Sequence, residues 1–272
     1  MKRTVFYVSD GTAITSETFG HTLLTQFDGV VFEQETIPFV TDKEAAQRVV
    51  EAVRQAAERD GQRPIVFSTL LDPEIQAMVA ACDALILDMF SVFIQPLEIE
   101  LQTKSNHTMG RSHGLTDRGA HKVRIDAVNF ALRHDDGAST EHYDDADVIL
   151  VGVSRCGKTP TCLYLALQFG IRAANYPLTP EDLEVMRLPV PLRRYQDRLF
   201  ALSIDPERLQ QLRSERRPDS PYSSLSTCRN EVRDAEALYR IEKLNFLDTT
   251  GVSIEEIASR LLQTVGLDRR MF

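Results

Sequence analysis

One stretch of the chain, residues 148–170, constrains the fold more than any other. It reads VILVGVSRCGKTPTCLYLALQFG, an apolar strand followed by a glycine-framed loop and an apolar helix. Residues 152–159 match G-x-x-x-x-G-K-[ST] at every fixed position. The glycines of this pattern allow a tight turn whose backbone N–H groups point at an anion where the helix begins. The predicted nucleotide-binding residues are therefore Gly152, Val153, Ser154, Arg155, Cys156, Gly157, Lys158 and Thr159.

Three side chains of this loop have predicted chemical roles. Lys158 would reach the terminal phosphates, and the Thr159 hydroxyl would be a magnesium ligand. Arg155 would contact a phosphoryl group in transfer, although a solvent-facing arginine is the alternative. Pro160 is unusual at its position but tolerated in the first turn of a helix. For the loop as a whole, the alternative is a chance match in a strand-to-helix turn.

Short apolar runs alternate with helical periodicity along the rest of the chain. This alternation predicts an α/β fold of mostly parallel sheets flanked by helices. The predicted strands are 4–8, 30–40, 64–70, 84–90, 147–151, 198–204 and 244–248, and the predicted helices include 14–27, 42–61, 121–134 and 253–265.

An acidic stretch rich in small residues, 135–147, separates two parts of this pattern. Such stretches are typical of domain boundaries. We therefore expect an N-terminal α/β domain over residues 1–142 and a C-terminal P-loop kinase-like domain over residues 143–272.

Charge and hydropathy exclude several classes of partner. A formal net charge of −9 argues against nucleic acid, because phosphate backbones need a surplus of lysine and arginine. The apolar runs are too short to predict a membrane span, and the first one is too short for the core of a signal peptide. Four cysteines without a CxxC pair fit free thiols in a reducing compartment. We expect a cytoplasmic protein, and a second copy of the chain, as a homodimer, is a further candidate partner.

Several other charged residues are open to two interpretations. Asp88, Asp205 and Asp248 each follow an apolar run, where an acid could serve the phosphate site or cap a helix. Arg213, Arg216 and Arg217 precede a segment rich in proline and serine, 218–226. They fit a mobile basic lid over a phosphate site or a solvated helix end.

Longer segments carry a resemblance to a known family. The segments VSDGTAITSETFGHTLLTQF (8–27), RIDAVNFALRHDDG (124–137) and GVSRCGKTPTCLYLALQFGIRAANYPL (152–178) resemble the bacterial phosphoenolpyruvate synthase regulatory proteins. Those proteins are close relatives of the pyruvate, phosphate dikinase regulatory proteins. The resemblance extends over nearly the whole chain, and no single residue decides between synthase and dikinase as the target.

The resemblance implies a bifunctional serine/threonine kinase and phosphorylase. One reaction would be ADP-dependent phosphorylation of a threonine on phosphoenolpyruvate synthase, which inactivates it. The other would be removal of that phosphoryl group by inorganic phosphate, with release of pyrophosphate. The cofactors implied are ADP and Mg²⁺, held by the loop at residues 152–159. Asp135 and Asp136 are the candidates for catalytic base or metal contact, unless they merely form an interdomain turn. Lys158 and Arg155 are the other candidate catalytic residues, through their contacts with the phosphates.

Two other functions remain as alternatives. A P-loop kinase acting on a small metabolite would phosphorylate its substrate without a protein partner. A nucleotide-sensing module would bind nucleotide without turnover and would need no carboxylate.

Overall fold

The chain folds into two α/β units. In the computed structural model, which describes residues 2–106 and 118–267, the contacts divide the chain into Met1–Gly114 and Leu115–Phe272. Each unit contains a parallel sheet of four strands flanked by helices. The predicted fold class is therefore confirmed.

The first unit alternates strands and helices throughout. Its strands are β1 (Lys2–Val8), β2 (Val31–Ile37), β3 (Ile65–Ser68) and β4 (Leu85–Asp88). Its helices are α1 (Ile14–Leu24), α2 (Lys43–Asp60), α3 (Pro73–Ala80) and α4 (Met89–Leu101). The strand order is β2-β1-β3-β4, with every neighbouring pair parallel. β1 lies inside the sheet, and its last five residues are buried, as expected for a strand covered on both faces.

The second unit begins with α5 (Arg118–Arg133) and then repeats the alternation. Its strands are β5 (Val148–Gly152), β6 (Ala173–Pro177), β7 (Leu199–Ser203) and β8 (Asn245–Asp248). Its further helices are α6 (Lys158–Phe169), α7 (Pro180–Val185), α8 (Pro206–Arg216), α9 (Leu225–Ile241) and α10 (Ile254–Val265). Short 3-10 turns cover Asp135–Gly137, Tyr143–Asp145, Val190–Arg198 and Pro221–Ser223. The strand order β6-β5-β7-β8 is again parallel throughout.

The division between the units differs from the predicted boundary at residues 142 and 143. α5 packs against α6, so both it and the acidic stretch that follows belong to the second unit. The acidic residues 135–147 mark a turn between α5 and β5 rather than a linker. This correction matters for the site, because it brings Asp135 and Asp136 into the same unit as the glycine loop.

The strand order determines where a ligand can bind. In the first sheet the second strand lies on one side of β1 and the third strand lies on the other, and the second sheet has the same arrangement around β5. The direction in which strands are added therefore reverses beside β1 and beside β5. Open parallel sheets bind ligands outside the carboxyl ends of the strands at such a point. In the second unit, the loop at residues 152–159 lies there.

Candidate phosphate-binding site

The phosphate loop, residues 152–159, begins at the end of a fully buried strand. All five residues of β5 are buried, and α6 starts at Lys158. Gly152 lies so close to its surroundings that a Cβ atom there would lie 2.6 Å from the carbonyl oxygen of Leu202 and 2.8 Å from Cys156 Sγ. Only glycine fits this position, because the Leu202 contact is with backbone on the neighbouring strand β7.

The backbone of the loop presents donors to solvent. Arg155 and Gly157 have left-handed φ values of 79° and 92°. Among the described residues, the N–H groups of Ser154, Arg155 and Gly157 have no protein acceptor. Gly157 precedes α6 without a side-chain cap, so the start of the helix adds its own positive end. Clustered free N–H groups at a helix start form an anion-binding site.

Lys158 is held against the loop. Its side chain is buried, with 4% exposed, and Nζ donates to the carbonyl oxygens of Gly152 at 3.0 Å and Val153 at 2.9 Å. An ammonium group has three donors, so two of them lie on the loop itself. A phosphate oxygen bound by the loop would compete with these two carbonyl oxygens for the ammonium group of Lys158. Burial raises the pKa of the neighbouring Cys156 thiol, which favours its neutral form.

Thr159 and Asp135, predicted separately, are in contact. Thr159 Oγ1 donates to Asp135 Oδ1 at 2.7 Å, and Asn175 Nδ2 donates to the same oxygen at 2.5 Å. Within the described residues, both hydrogen bonds of this carboxylate end on Oδ1. Oδ2 is therefore the atom with capacity to accept a proton or a metal-bound water. Asn175 is fully buried on β6, so it fixes the carboxylate in one orientation.

Asp136 lies differently from Asp135, although the sequence analysis gave the two acids one role. Its backbone N–H donates to Asn175 Oδ1 at 2.9 Å, and its side chain is exposed. Its φ of 48° is left-handed, a conformation that aspartate tolerates better than most residues. The side chain of Asp135 therefore contacts Thr159, whereas Asp136 contributes a backbone hydrogen bond to Asn175.

A buried histidine supports this turn. The two ring nitrogens of His134 lie 2.8 Å from the carbonyl oxygens of Phe130 and Glu141, which join the end of α5 to the segment before β5. His134 and Asn175 were not identified from the sequence. The segments that carried the family resemblance contain both residues, but no spacing pattern distinguishes them.

Arg213 is not part of a mobile lid, as one interpretation of the sequence suggested. It is 1% exposed and pairs with Glu231 at 2.6 Å. It also donates to the carbonyl oxygen of Ser154 at 3.3 Å and stacks over the ring of Tyr222, whose hydroxyl lies 3.0 Å from Ser154 Oγ. The carbonyl oxygen of Ser154 and the N–H of Arg155 belong to one trans peptide, so they point in opposite directions. The hydrogen bond from Arg213 to that oxygen therefore directs the Arg155 N–H away from Arg213. Arg155, Arg216 and Arg217 are exposed.

The acids that follow other strands have structural roles. The carboxylates of Asp88 and Asp205 accept hydrogen bonds from the first turns of α4 and α8, and Asp248 accepts one from the N–H of Thr250. Within residues 2–106 and 118–267, no three His, Cys, Asp or Glu side chains form a cluster able to hold a metal. Magnesium does not need one, since it is commonly held by one or two protein oxygens, substrate phosphates and water. Thr159 and Asp135 fit that requirement.

Comparison with known proteins agrees with the resemblance read from the sequence. The model of the kinase/pyrophosphorylase family matches residues 5–262. A protein of Stutzerimonas stutzeri strain A1501 is 51% identical over 271 residues and is covered completely, as is this chain. One of Legionella pneumophila strain Corby is 52% identical over 271 residues, also with complete coverage. One of Marinobacter nauticus is 49% identical over 269 residues, 99% of each chain.

All three relatives bear the same name, "Putative phosphoenolpyruvate synthase regulatory protein". Among the described residues of this chain, no helix combines the length and the apolar character that a membrane crossing requires.

Proposed function

The chain belongs to the kinase/pyrophosphorylase family, and on that premise we propose that it transfers a phosphoryl group from ADP to a threonine of a protein target and removes it again with inorganic phosphate. The observation that carries the proposal is the joining of the phosphate loop to a fixed carboxylate, through the contact of Thr159 with Asp135. A module that only senses nucleotide would not need that carboxylate.

The proposed target is phosphoenolpyruvate synthase. The support is the name shared by relatives that are about half identical to this chain over its full length. All four cysteines are free thiols, three of them buried, which agrees with a setting in the reducing cytoplasm.

In the forward reaction the loop would hold the β-phosphate of ADP as the terminal group. The free N–H groups of Ser154, Arg155 and Gly157, the start of α6 and Lys158 would surround its oxygens. These groups stabilise the negative charge that spreads over a phosphoryl group in transfer. The exposed guanidinium of Arg155 is available to the same oxygens from the solvent side.

Asp135 is the better candidate for the base of the pair. A threonine hydroxyl is a weak nucleophile, and a positioned carboxylate would accept its proton while its oxygen attacks the β-phosphorus and AMP leaves. Oδ1 is held by Thr159 and Asn175, so Oδ2 would take that proton. A magnesium ion bound at Thr159 would supply additional positive charge to the phosphates.

The reverse reaction would use the same anion site. Inorganic phosphate would occupy the place of the β-phosphate and attack the phosphothreonine, which releases threonine and pyrophosphate. Both reactions then gather negative charge at the loop, so ADP should inhibit dephosphorylation in competition with phosphate.

The decisive experiment uses purified phosphoenolpyruvate synthase, magnesium and ADP labelled in the β-phosphate. We expect label on one threonine of the synthase and formation of AMP, and no comparable transfer from ATP freed of ADP. Equal or faster transfer from purified ATP would contradict the choice of donor. Label on a small metabolite in the absence of the synthase would favour the metabolite kinase instead.

A further inference from the structure

One pocket of the first unit has no role in the reactions proposed above. Its volume is about 370 Å³, within the range of roughly 300–1,000 Å³ typical of small-molecule sites. It lies on the face of the sheet that α1 covers, because Leu24, Phe32 and Ile65 in its lining all belong to the apolar cluster around Val5 and Tyr7. Among the described residues that cluster has four buried members, whereas α2 and α3 pack against the opposite face in a cluster of thirteen. The face with the pocket is therefore the less completely covered one.

The lining of this pocket is mainly apolar and partly open to water. Its apolar side chains come from α1, from the turn after it and from three strands: Leu24, Phe27, Val30, Phe32, Ile65 and Leu85. Phe27 is 61% exposed and Leu85 is 43% exposed, although both line the pocket. Apolar surface of this kind gains free energy when a ligand removes it from water. The pocket therefore favours a ligand with an apolar body.

Two arginines complete the lining and give one side of the pocket a positive charge. Val5 pairs with Ile65, and Arg3 and Arg63 lie two residues before these strand partners, so both arginines belong to the same end of the sheet. Arg3 donates a hydrogen bond to the carbonyl oxygen of Arg63, and Arg63 Nη2 donates to that of Ala84 at 2.6 Å. These bonds to the backbone hold both guanidinium groups in place, which reduces the cost of ordering them when a ligand binds.

The charge of the two arginines is largely uncompensated. Among the described residues that line the pocket, none is acidic. Asp83 lies beside it, but its side chain is 94% exposed and 3.7 Å from Arg63 Nε, so this ion pair is weak. A guanidinium group has five N–H donors, and the bonds to backbone carbonyls use one from each arginine. The remaining donors fit the two oxygens of a carboxylate.

We propose that this pocket binds a small organic acid with one carboxylate on an apolar body, such as a medium-chain fatty acid. The carboxylate would contact Arg3 and Arg63, and the body would cover Phe27, Phe32 and Leu85. Inorganic phosphate and pyrophosphate have no apolar body, so the reactions proposed above do not supply this ligand. The site belongs to the first unit alone, and its ligand would not compete with ADP for the phosphate loop.

The test uses octanoate as the probe, with calorimetry on the full chain. We expect the wild-type chain to bind one octanoate with a dissociation constant of about 1 mM or lower. Octylammonium has the same body with the opposite charge, and acetate has the carboxylate without the body. Each of them should bind at least about tenfold more weakly than octanoate. Saturating ADP with magnesium should change the octanoate affinity by less than about twofold.

Two substitutions separate the charge from the apolar contact. Arg63→Gln, at an exposed side chain, should weaken octanoate binding by at least about tenfold, because the carboxylate loses a charged partner. Phe27→Ala should weaken it by about threefold or more, because apolar contact is lost. Arg48→Gln, at an exposed arginine of α2, and Phe39→Ala, at a phenylalanine that is 64% exposed, are the matched controls and should leave the affinity unchanged. Arg3→Gln serves in place of Arg63→Gln if that variant does not fold.

Four results would overturn the inference. Equal binding of octanoate and octylammonium, or an octanoate affinity unchanged in Arg63→Gln, would mean that the arginines do not anchor the ligand. Loss of octanoate on addition of ADP would mean that the acid lies at the phosphate loop. A wild-type chain that binds no octanoate would mean that the pocket is not a site for such an acid. If the molar mass in solution then also falls in Phe27→Ala, a second copy of the chain covers this face instead.

Discussion

The two units share a strand order but differ in charge at the edge where ligands bind. In each sheet the first strand lies second in the order, and a loop leaves its carboxyl end for a helix. After β5 that loop has two cations, Arg155 and Lys158, whereas after β1 it has the acidic Asp10. Burial raises the pKa of Asp10, because the carboxylate loses water there. One topology therefore presents cationic side chains at the edge in one unit and a carboxyl group at the corresponding edge in the other.

This difference shows that topology alone does not identify the active unit. The switch in strand order marks an edge where a site can form, in both sheets equally. Under the proposed function, the phosphate loop and Asp135 place the chemistry in the second unit. Substitutions in both units test that assignment.

The largest expected effect comes from the buried cation of the second unit. Lys158→Ala should lower phosphoryl transfer by about 1,000-fold or more, because the phosphates lose a full charge in a buried site. Transfer of labelled phosphate to the target measures the effect, and thermal unfolding checks the fold. Lys243→Ala, at an exposed lysine of the same unit, is the control. A folded Lys158→Ala variant with full transfer would remove the phosphate loop from the mechanism.

The next largest effect is expected at Asp135, and its neighbour Asp136 provides the comparison. Asp135→Asn should slow transfer by at least about 100-fold, the lower range for loss of a general base. Asp136→Asn should slow it far less, because that side chain is exposed and the turn uses its backbone N–H. ADP affinity should change little in Asp135→Asn if the residue acts as base, and fall if it acts through magnesium. Equal losses in the two variants would contradict the distinction between them.

Local patterns predicted much of this arrangement. Seven of the eight strands in the described residues follow from short apolar runs, and the turn from β5 into α6 follows from one spaced motif. β6 was missed, because its sequence AANYP is small and polar for a strand. The boundary between units was misplaced because the packing of α5 on α6 decides it, and that contact is not local.

The roles of the residues that support the site could not be predicted from the sequence, because their contacts are also not local. Asn175 acts through a hydrogen bond to a residue 40 positions earlier. Arg213 contacts the carbonyl of a residue 59 positions away. Neither side chain has a spacing signature, so only the tertiary structure connects it with the phosphate loop.

Each unit has a closely packed glycine, Gly152 in the second and Gly20 in the first, and substituting each one compares the two units. In Gly152→Ala the new Cβ would lie 2.6 Å from the Leu202 carbonyl oxygen, so the loop must shift. We expect ADP to bind about tenfold or more weakly, since the N–H groups lose their alignment. In Gly20→Ala the Cβ would lie 2.5 Å from Tyr7 Cε1, inside the core of the first unit. That change should lower the free energy of unfolding by about 1–3 kcal/mol through overpacking.

Calorimetry with ADP and thermal unfolding measure the two effects on both variants. Gly20→Ala should leave ADP affinity unchanged. If it weakens ADP binding as much as Gly152→Ala does, nucleotide binding would not be a property of the second unit alone.

The smallest expected effect concerns the acidic edge of the first unit. Asp10 Oδ2 accepts a hydrogen bond from the N–H of Leu71 at 3.0 Å, yet burial is the larger influence and raises the pKa above its ordinary value of 3.8. The folded state therefore binds the proton more tightly than the unfolded state. Stability then falls as pH rises from that ordinary value through the raised pKa, and the loss is complete above it.

Asp10→Asn removes the charge and retains an oxygen that can accept from Leu71. We expect it to raise the melting temperature at pH 7 by about 1–2 °C, a small gain because the side chain is only partly buried. The gain should shrink as the pH is lowered toward 4, where the wild-type carboxyl becomes protonated. Asp28→Asn, at an exposed aspartate of the same unit, should show no such trend. A gain that instead grows as the pH falls would mean that the Leu71 N–H stabilises the carboxylate, and that the first edge, like the second, accommodates negative charge.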